Sequence, residues 1–180
     1  MIYVFLADGF EEIEALTPVD YLRRAGIELK TVGVTGKTVT SSHKIPVISD
    51  ITADEITFDD LDGIILPGGM PGTLNLEKSD AVQNAVDFCC KNNKLLAAIC
   101  AAPSILGHKN ILNGKNAVCF PGFENELKGA VLSDKFAVRD GNVITAKGAG
   151  AATEFAFEII KYLSDENTAL QVRNSVQTCY

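Results

Sequence analysis

Cys100 stands between the apolar run Leu95-Leu96-Ala97-Ala98-Ile99 and the small residues Ala101 and Ala102. A buried strand that ends on a cysteine and turns at once into a helix has the geometry of a nucleophile elbow, and so sharp a turn needs small neighbours. At the start of the following helix, read as residues 101–107, free N–H groups and the helix dipole favour thiolate over thiol. A lowered pKa and a reactive sulfur are therefore expected; an inert cysteine at a strand end is the alternative. Glu14 is the second candidate. Glu11 and Glu12 suit the solvated first turn of a helix, but Glu14 lies deeper, between Ile13 and the packing residues Ala15 and Leu16. A carboxyl at the mouth of a sheet is desolvated and holds its proton, so it can donate to a thiolate and later shuttle that proton. Pro67-Gly68-Gly69 follows another apolar run directly. A tight turn alone accounts for the glycines. Backbone without side chains also lets an N–H meet a developing oxyanion, with the Ala101 N–H as the opposite donor. Lys147-Gly148-Ala149-Gly150 reads as a flexible loop that forms pocket wall.

These residues need a scaffold that brings them to one edge. Short apolar strands alternate with amphipathic helices along the chain. Strands are expected at 2–6, 28–34, 63–66, 95–99 and 117–119, and helices at 11–25 (stopped by Gly26), 79–91 and 151–163, with a shorter one behind. Residues 37–48 read as a β-hairpin beside the main sheet, and 135–146 as a second hairpin turning at Asp140-Gly141. Near-continuous apolar strands imply a mostly parallel α/β sheet covered on both faces. Ligands bind such sheets outside the carboxyl ends of the strands, where 7–14, 67–72 and 100–103 converge.

The chain has 180 residues, 47% hydrophobic and 22% charged, which fits one domain, 1–180, with a sizeable core. Sixteen basic against 23 acidic residues give a net charge of −7, which repels phosphate backbones and anionic lipid. Nucleic acid and membranes are not expected partners. No apolar run approaches the roughly 20 residues of a membrane span, and no leader precedes the first strand, so a cytoplasmic protein with reduced thiols is expected. Cys89 and Cys90 are adjacent, where a bridge would be strained. The two histidines, His43 and His108, limit imidazole chemistry. His43 lies in the first hairpin, and His108 follows the elbow helix as a partner for its C-terminal dipole.

At Gly9-Phe10-Glu11-Glu12-Ile13-Glu14, Leu66-Pro67-Gly68-Gly69, Ala97-Ala98-Ile99-Cys100-Ala101-Ala102-Pro103 and Gly148-Ala149-Gly150 the chain resembles the ThiJ/PfpI superfamily, in the branch of the Parkinson-linked deglycase and its YajL-type relatives. The likeness runs from about residue 2 to residue 175 and includes Pro18-Val19-Asp20 and Arg23-Arg24-Ala25-Gly26. It implies a flavodoxin-like three-layer sandwich, related to the class I glutamine amidotransferase fold, and a homodimer. It assigns Cys100 as nucleophile, Glu14 as its protonated partner, and the Gly69 and Ala101 amides as oxyanion donors, with Gly68, Phe120, Gly148 and Ala149 around the pocket. Two departures stand out. Ala101 replaces the histidine that protease-like branches place after the nucleophile, and Phe120 stands where the deglycase branch often carries a histidine. In family dimers the hairpin of His43 approaches the partner's site, so an imidazole across the interface is one reading and an exposed histidine the other.

Two functions fit these residues. One is a cysteine-dependent enzyme acting on small reactive carbonyls, a glyoxalase or deglycase that turns methylglyoxal into lactate or acts on a glycated substrate. It needs no metal and no cofactor, because the redox change is internal to the substrate. The other is an oxidative-stress sensor or chaperone that uses an oxidisable Cys100 without turnover. Peptide hydrolysis lacks a histidine to protonate the leaving amine, and amidotransfer lacks the late His-Glu pair.

Overall fold

The computed structural model describes residues 1–178. In chain order the strands are β1 (Ile2–Leu6), β2 (Leu29–Gly33), β3 (Thr38–Thr40), β4 (Pro46–Ile48), β5 (Ile51–Thr52), β6 (Gly63–Leu66), β7 (Leu95–Ile99), β8 (Asn116–Ala117), β9 (Val131–Leu132), β10 (Ala137–Asp140) and β11 (Val143–Ala146). The helices are α1 (Glu12–Arg24), α2 (Gly72–Lys78), α3 (Asp80–Lys91), α4 (Pro103–His108), α5 (Ala152–Leu163) and α6 (Glu166–Ser175). The central sheet runs β10-β11-β7-β6-β1-β2-β5 and is parallel except for β10.

Alternation along each strand splits the core into two layers. Ile2, Val4 and Leu6 of β1 face the layer that packs on α1, α5 and α6, with Leu22, Phe155 and Ile160. Tyr3 and Phe5 face the layer against α2, α3 and α4, with Leu76, Val86 and Ile105. Each large side chain fully buried in this way contributes about 1.5–3 kcal/mol. The result is a three-layer, flavodoxin-like sandwich. Chain order reverses at β1: β2 lies on one side and β6 on the other, which opens a crevice at the carboxyl ends of β1 and β6.

The elements expected from periodicity stand with small shifts of boundary. The 37–48 hairpin forms as the separate β3–β4 ribbon. Four expectations need correction. A helix, α2, precedes α3 where none was expected; it is short and has no capping side chain to announce it. The elbow helix begins at Pro103, because Cys100 and the two alanines complete the turn first. The strand expected at 117–119 shrinks to β8 and pairs with β9 outside the central sheet. In the late hairpin Asp140 pairs with Val143, so Gly141 and Asn142 make the turn.

His108, at the end of α4, is more than a dipole partner. Its Nδ1 lies 2.5 Å from Glu77 Oε1 at the end of α2, and its Nε2 lies 2.9 Å from Glu126 Oε2 in the loop after β8. With both ring nitrogens donating, the imidazolium ties three segments together, and these carboxylates raise its pKa. The bridge stabilises fully below the unfolded histidine's value of about 6.5 and is lost as pH rises through the raised native value. His108→Ala should lower unfolding free energy by about 1 kcal/mol at pH 6, as for a partly exposed ion-pair network, and by less at pH 9. Urea titrations at the two pH values would measure this; an equal loss at both would show that the charge plays no part.

Candidate functional site

Three strand ends build the site. β7 delivers Cys100 with φ +66, a left-handed conformation that costs a non-glycine residue on the order of 1–3 kcal/mol. The turn is held from both sides: Cys100 N–H donates to Ala146 O at 2.9 Å, and Phe120 N–H donates to Cys100 O at 2.8 Å. The elbow expected from the small residues is therefore present. β6 delivers Gly68 and Gly69. At Gly69 φ is +89 and a Cβ would fall 2.5 Å from Glu11 N, so only glycine fits. After β1, Glu11 caps α1 by accepting Glu14 N–H at 2.7 Å, which sets the first helical turn and turns Glu14 inward.

Glu14 is 1% exposed. Its Oε2 accepts Gly68 N–H at 2.9 Å, Ala149 N–H also reaches the carboxyl, and the Cys100 thiol hydrogen-bonds to it. Burial, more than any other influence, pushes the Glu14 pKa up to about 7. The raised carboxyl expected at this position is there. Cys100 goes the other way from expectation. Its thiol is pushed up to about 12, first by burial and then by the Glu14 charge and hydrogen bond, although the Gly69 and Ala101 N–H groups both point at the sulfur and oppose the shift. The helix-dipole reading fails because α4 has only six residues and starts three positions later. Thiolate therefore forms readily only when Glu14 carries the proton, and the two groups act as one acid–base pair.

The structure thus brings together Cys100, Glu14, Gly68, Gly69, Ala101 and Ala149. Phe120 and Gly148 complete the wall, since a Cβ on Gly148 would sit 3.2 Å from the Phe120 ring and 3.7 Å from Glu14 Oε1. The loop at 147–150 is less free than expected: a 3-10 turn, Ala149–Ala151, fixes the amide that Glu14 uses. Nothing in a Gly-Ala-Gly run announces that amide as a carboxyl partner. His43 is placed elsewhere within the chain. Its exposed ring pairs through Nδ1 with Glu12 Oε1 at 2.8 Å, on the β3–β4 hairpin. Glu12, expected to be solvated, is only 9% exposed, because the hairpin folds over it. Glu11, Glu12 and His43 lie close enough to share a cation, but with one carboxylate capping a helix and the other paired to the ring they form a local hydrogen-bonded cluster. Cys89, Cys90 and Cys119 are free thiols, as expected for the adjacent pair.

No helix of the described residues is long and apolar enough to cross a membrane. The profile of the DJ-1/PfpI family matches residues 1–162. Protein dj-1beta of Drosophila melanogaster is 33% identical over 180 residues, covering 98% of this chain and 96% of its own. The Parkinson disease protein 7 homolog of Danio rerio is 35% identical over 175 residues, covering 94% and 93%. Among solved structures, Toxoplasma gondii DJ-1, described as oxidized, superposes with a TM-score of 0.95 at 30% identity, covering 99% of this chain and 98% of the other. A mutant DJ-1 superfamily protein of Salmonella typhimurium does so with a TM-score of 0.93 at 32% identity over the same shares. With the family profile matched over residues 1–162 and both sequence and fold alike over nearly the whole chain, the chain belongs to the DJ-1/PfpI family.

Proposed function

We propose that the protein is a glyoxalase-type enzyme that converts small α-oxoaldehydes such as methylglyoxal into 2-hydroxy acids. The observation that carries this reading is the buried Glu14–Cys100 pair, a carboxyl with a pKa of about 7 hydrogen-bonded to a thiol under two backbone N–H groups. The Cys100 sulfur adds to the aldehyde carbon. Glu14 carboxylate takes the thiol proton and passes it to the aldehyde oxygen, giving a hemithioacetal, while the Gly69 and Ala101 amides hold that oxygen. Glu14, again ionised, removes the C1 hydrogen as a proton, and the resulting enediol is reprotonated at C2. C1 is thereby oxidised by two electrons and C2 reduced by two, leaving a thioester on Cys100. Water then cleaves the C–S bond, releases lactate and returns the thiol. No imidazole takes part, and one carboxyl serves every proton transfer. Deglycation of modified amines would use the same groups.

A second reading is favoured by the oxidized state of the Toxoplasma gondii relative. Cys100 thiolate attacks a peroxide oxygen, forming an S–O bond as the O–O bond breaks to give sulfenate and water, and a second peroxide in the same way gives the sulfinate and water; protonated Glu14 would hold the sulfinate by a hydrogen bond. We further propose that the chain acts as a homodimer. Ile13 on α1 and Ile45 and Ile48 near the β3–β4 hairpin are 51%, 47% and 74% exposed, an apolar face that a second copy would cover.

Lactate release from methylglyoxal without glutathione should be abolished in Cys100→Ser and fall at least a hundredfold in Glu14→Gln. In the wild type kcat/KM should rise with pH through about 7 as Glu14 ionises, a limb absent from the glutamine variant. Unchanged turnover in Cys100→Ser would end the glyoxalase reading. Under mild peroxide, mass spectrometry should find two added oxygens on Cys100 ahead of Cys89, Cys90 and Cys119; equal labelling would count against a sensor. Sedimentation should give a dimer that Ile48→Glu converts to monomer, and unchanged kinetics in His43→Ala would dispose of an imidazole acting across the interface.

A further inference from the structure

The sheet ends on an unpaired edge. β10 is its last strand and is held by β11 alone. Lys147 N–H donates to Phe136 O at 2.9 Å, and in that register Val138 and Asp140 turn their backbone groups to β11 while Ala137 and Arg139 turn theirs outward. Outward N–H and C=O groups are a template for a further strand. A cavity of about 500 Å³ lies against them, lined by Ser133, Lys135, Ala137 and Arg139, with Asn116 and Glu158 also on its wall. That is the size of a ligand cleft, for which volumes run from roughly 300 to 1,000 Å³.

Charge sets this edge apart in a chain of net charge −7, because Lys135-Phe136-Ala137-Val138-Arg139 holds two cations and no acid. Both cations are exposed, and among the described residues neither is paired with a carboxylate. Edge strands often carry a cation simply to repel other edges, and such a charge stands out into solvent. Arg139 instead lies over the Tyr162 ring, 5.0 Å from its centroid, with Nε 3.4 Å from Gly141 O, so its guanidinium is held on the cavity wall. Glu158, the acid on that wall, is taken by Lys161 at 3.1 Å. A second copy of this chain does not suit the edge, since two β10 strands side by side set cation against cation whichever way they run. An acidic strand is drawn by the same charges. We propose that the β10 edge is a docking surface for an extended polypeptide segment with acidic side chains at alternate positions, added to the sheet as a further strand. Its main chain meets the outward groups of Ala137 and Arg139. Its acids repeat about every 7 Å along one face and reach Lys135 at one end of the edge and Arg139 at the other.

Fluorescence anisotropy of a labelled octapeptide of alternating glutamate and threonine, titrated with the full chain, tests this. Binding should saturate, and it should weaken about tenfold or more in the double variant Lys135→Glu, Arg139→Glu. Replacing the peptide's glutamates by glutamine should weaken binding to the unaltered protein in the same way, which keeps the test independent of how the variant folds. The acidic peptide N-methylated at every residue has no N–H to give to a sheet edge and should not bind. Failure to saturate by about 1 mM protein, or equal affinity for the glutamine peptide, would overturn the proposal. So would undiminished binding of the N-methylated peptide, which, if inorganic phosphate at constant ionic strength displaces it, marks the cavity as a plain anion site. None of these readouts depends on Cys100 or on turnover.

Discussion

A carboxyl buried against a thiol, with backbone amides as its other partners, is the constraint on which the site depends. Glu14 has lost its water and is held by Gly68, Ala149 and Cys100. Each of those groups comes from a different strand end, so the interaction exists only once β1, β6, β7 and β11 are in register. The strained backbone of Cys100 is held in the same way. Its N–H and C=O are both claimed by neighbouring segments, and the buried sheet above them supplies the stability that offsets a left-handed cysteine.

The acid–base balance follows. A free thiol beside a helix N-terminus would ionise easily, but this one is pushed up by burial and by the carboxylate it touches. The pair therefore shares one proton near neutrality: with the proton on Glu14 the sulfur can be an anion, and with the proton on sulfur Glu14 can be a base. Phe120, not an imidazole, stands beside the elbow, so this exchange between two groups is the proton chemistry that the described residues offer there.

Much of this was legible in the chain. The apolar runs that became β1, β6 and β7, the Gly26 stop of α1 and the small residues around Cys100 each state a local preference that the fold keeps. Glu14 was legible because it sits too far into its helix to be solvated. Other features were not, for a common reason: they depend on groups brought together from distant segments. The direction of the Cys100 shift is set by burial and by Glu14, 86 positions away. The burial of Glu12 needs the hairpin to fold over α1, and the part played by Ala149 rests on an amide that no residue type reveals. The helix α2 lacked both a cap and the length that periodicity needs.

The two-layered core also settles the company that each sulfur keeps. Cys100 packs toward the layer beneath α1 and α5, whereas Cys89 and Cys119 are buried in the layer beneath α3 and α4, and Cys90 looks outward from α3. The elbow sulfur and Cys89 thus belong to different layers, while Cys119 directly precedes Phe120, whose N–H donates to the Cys100 carbonyl. Among the described residues Cys100, Cys89, Cys90 and Cys119 all stand as free thiols. An oxidant that reaches Cys100 therefore meets a thiol not already tied into a disulfide, and a sulfenic acid formed there returns to the thiol by way of a disulfide with whichever thiol meets it.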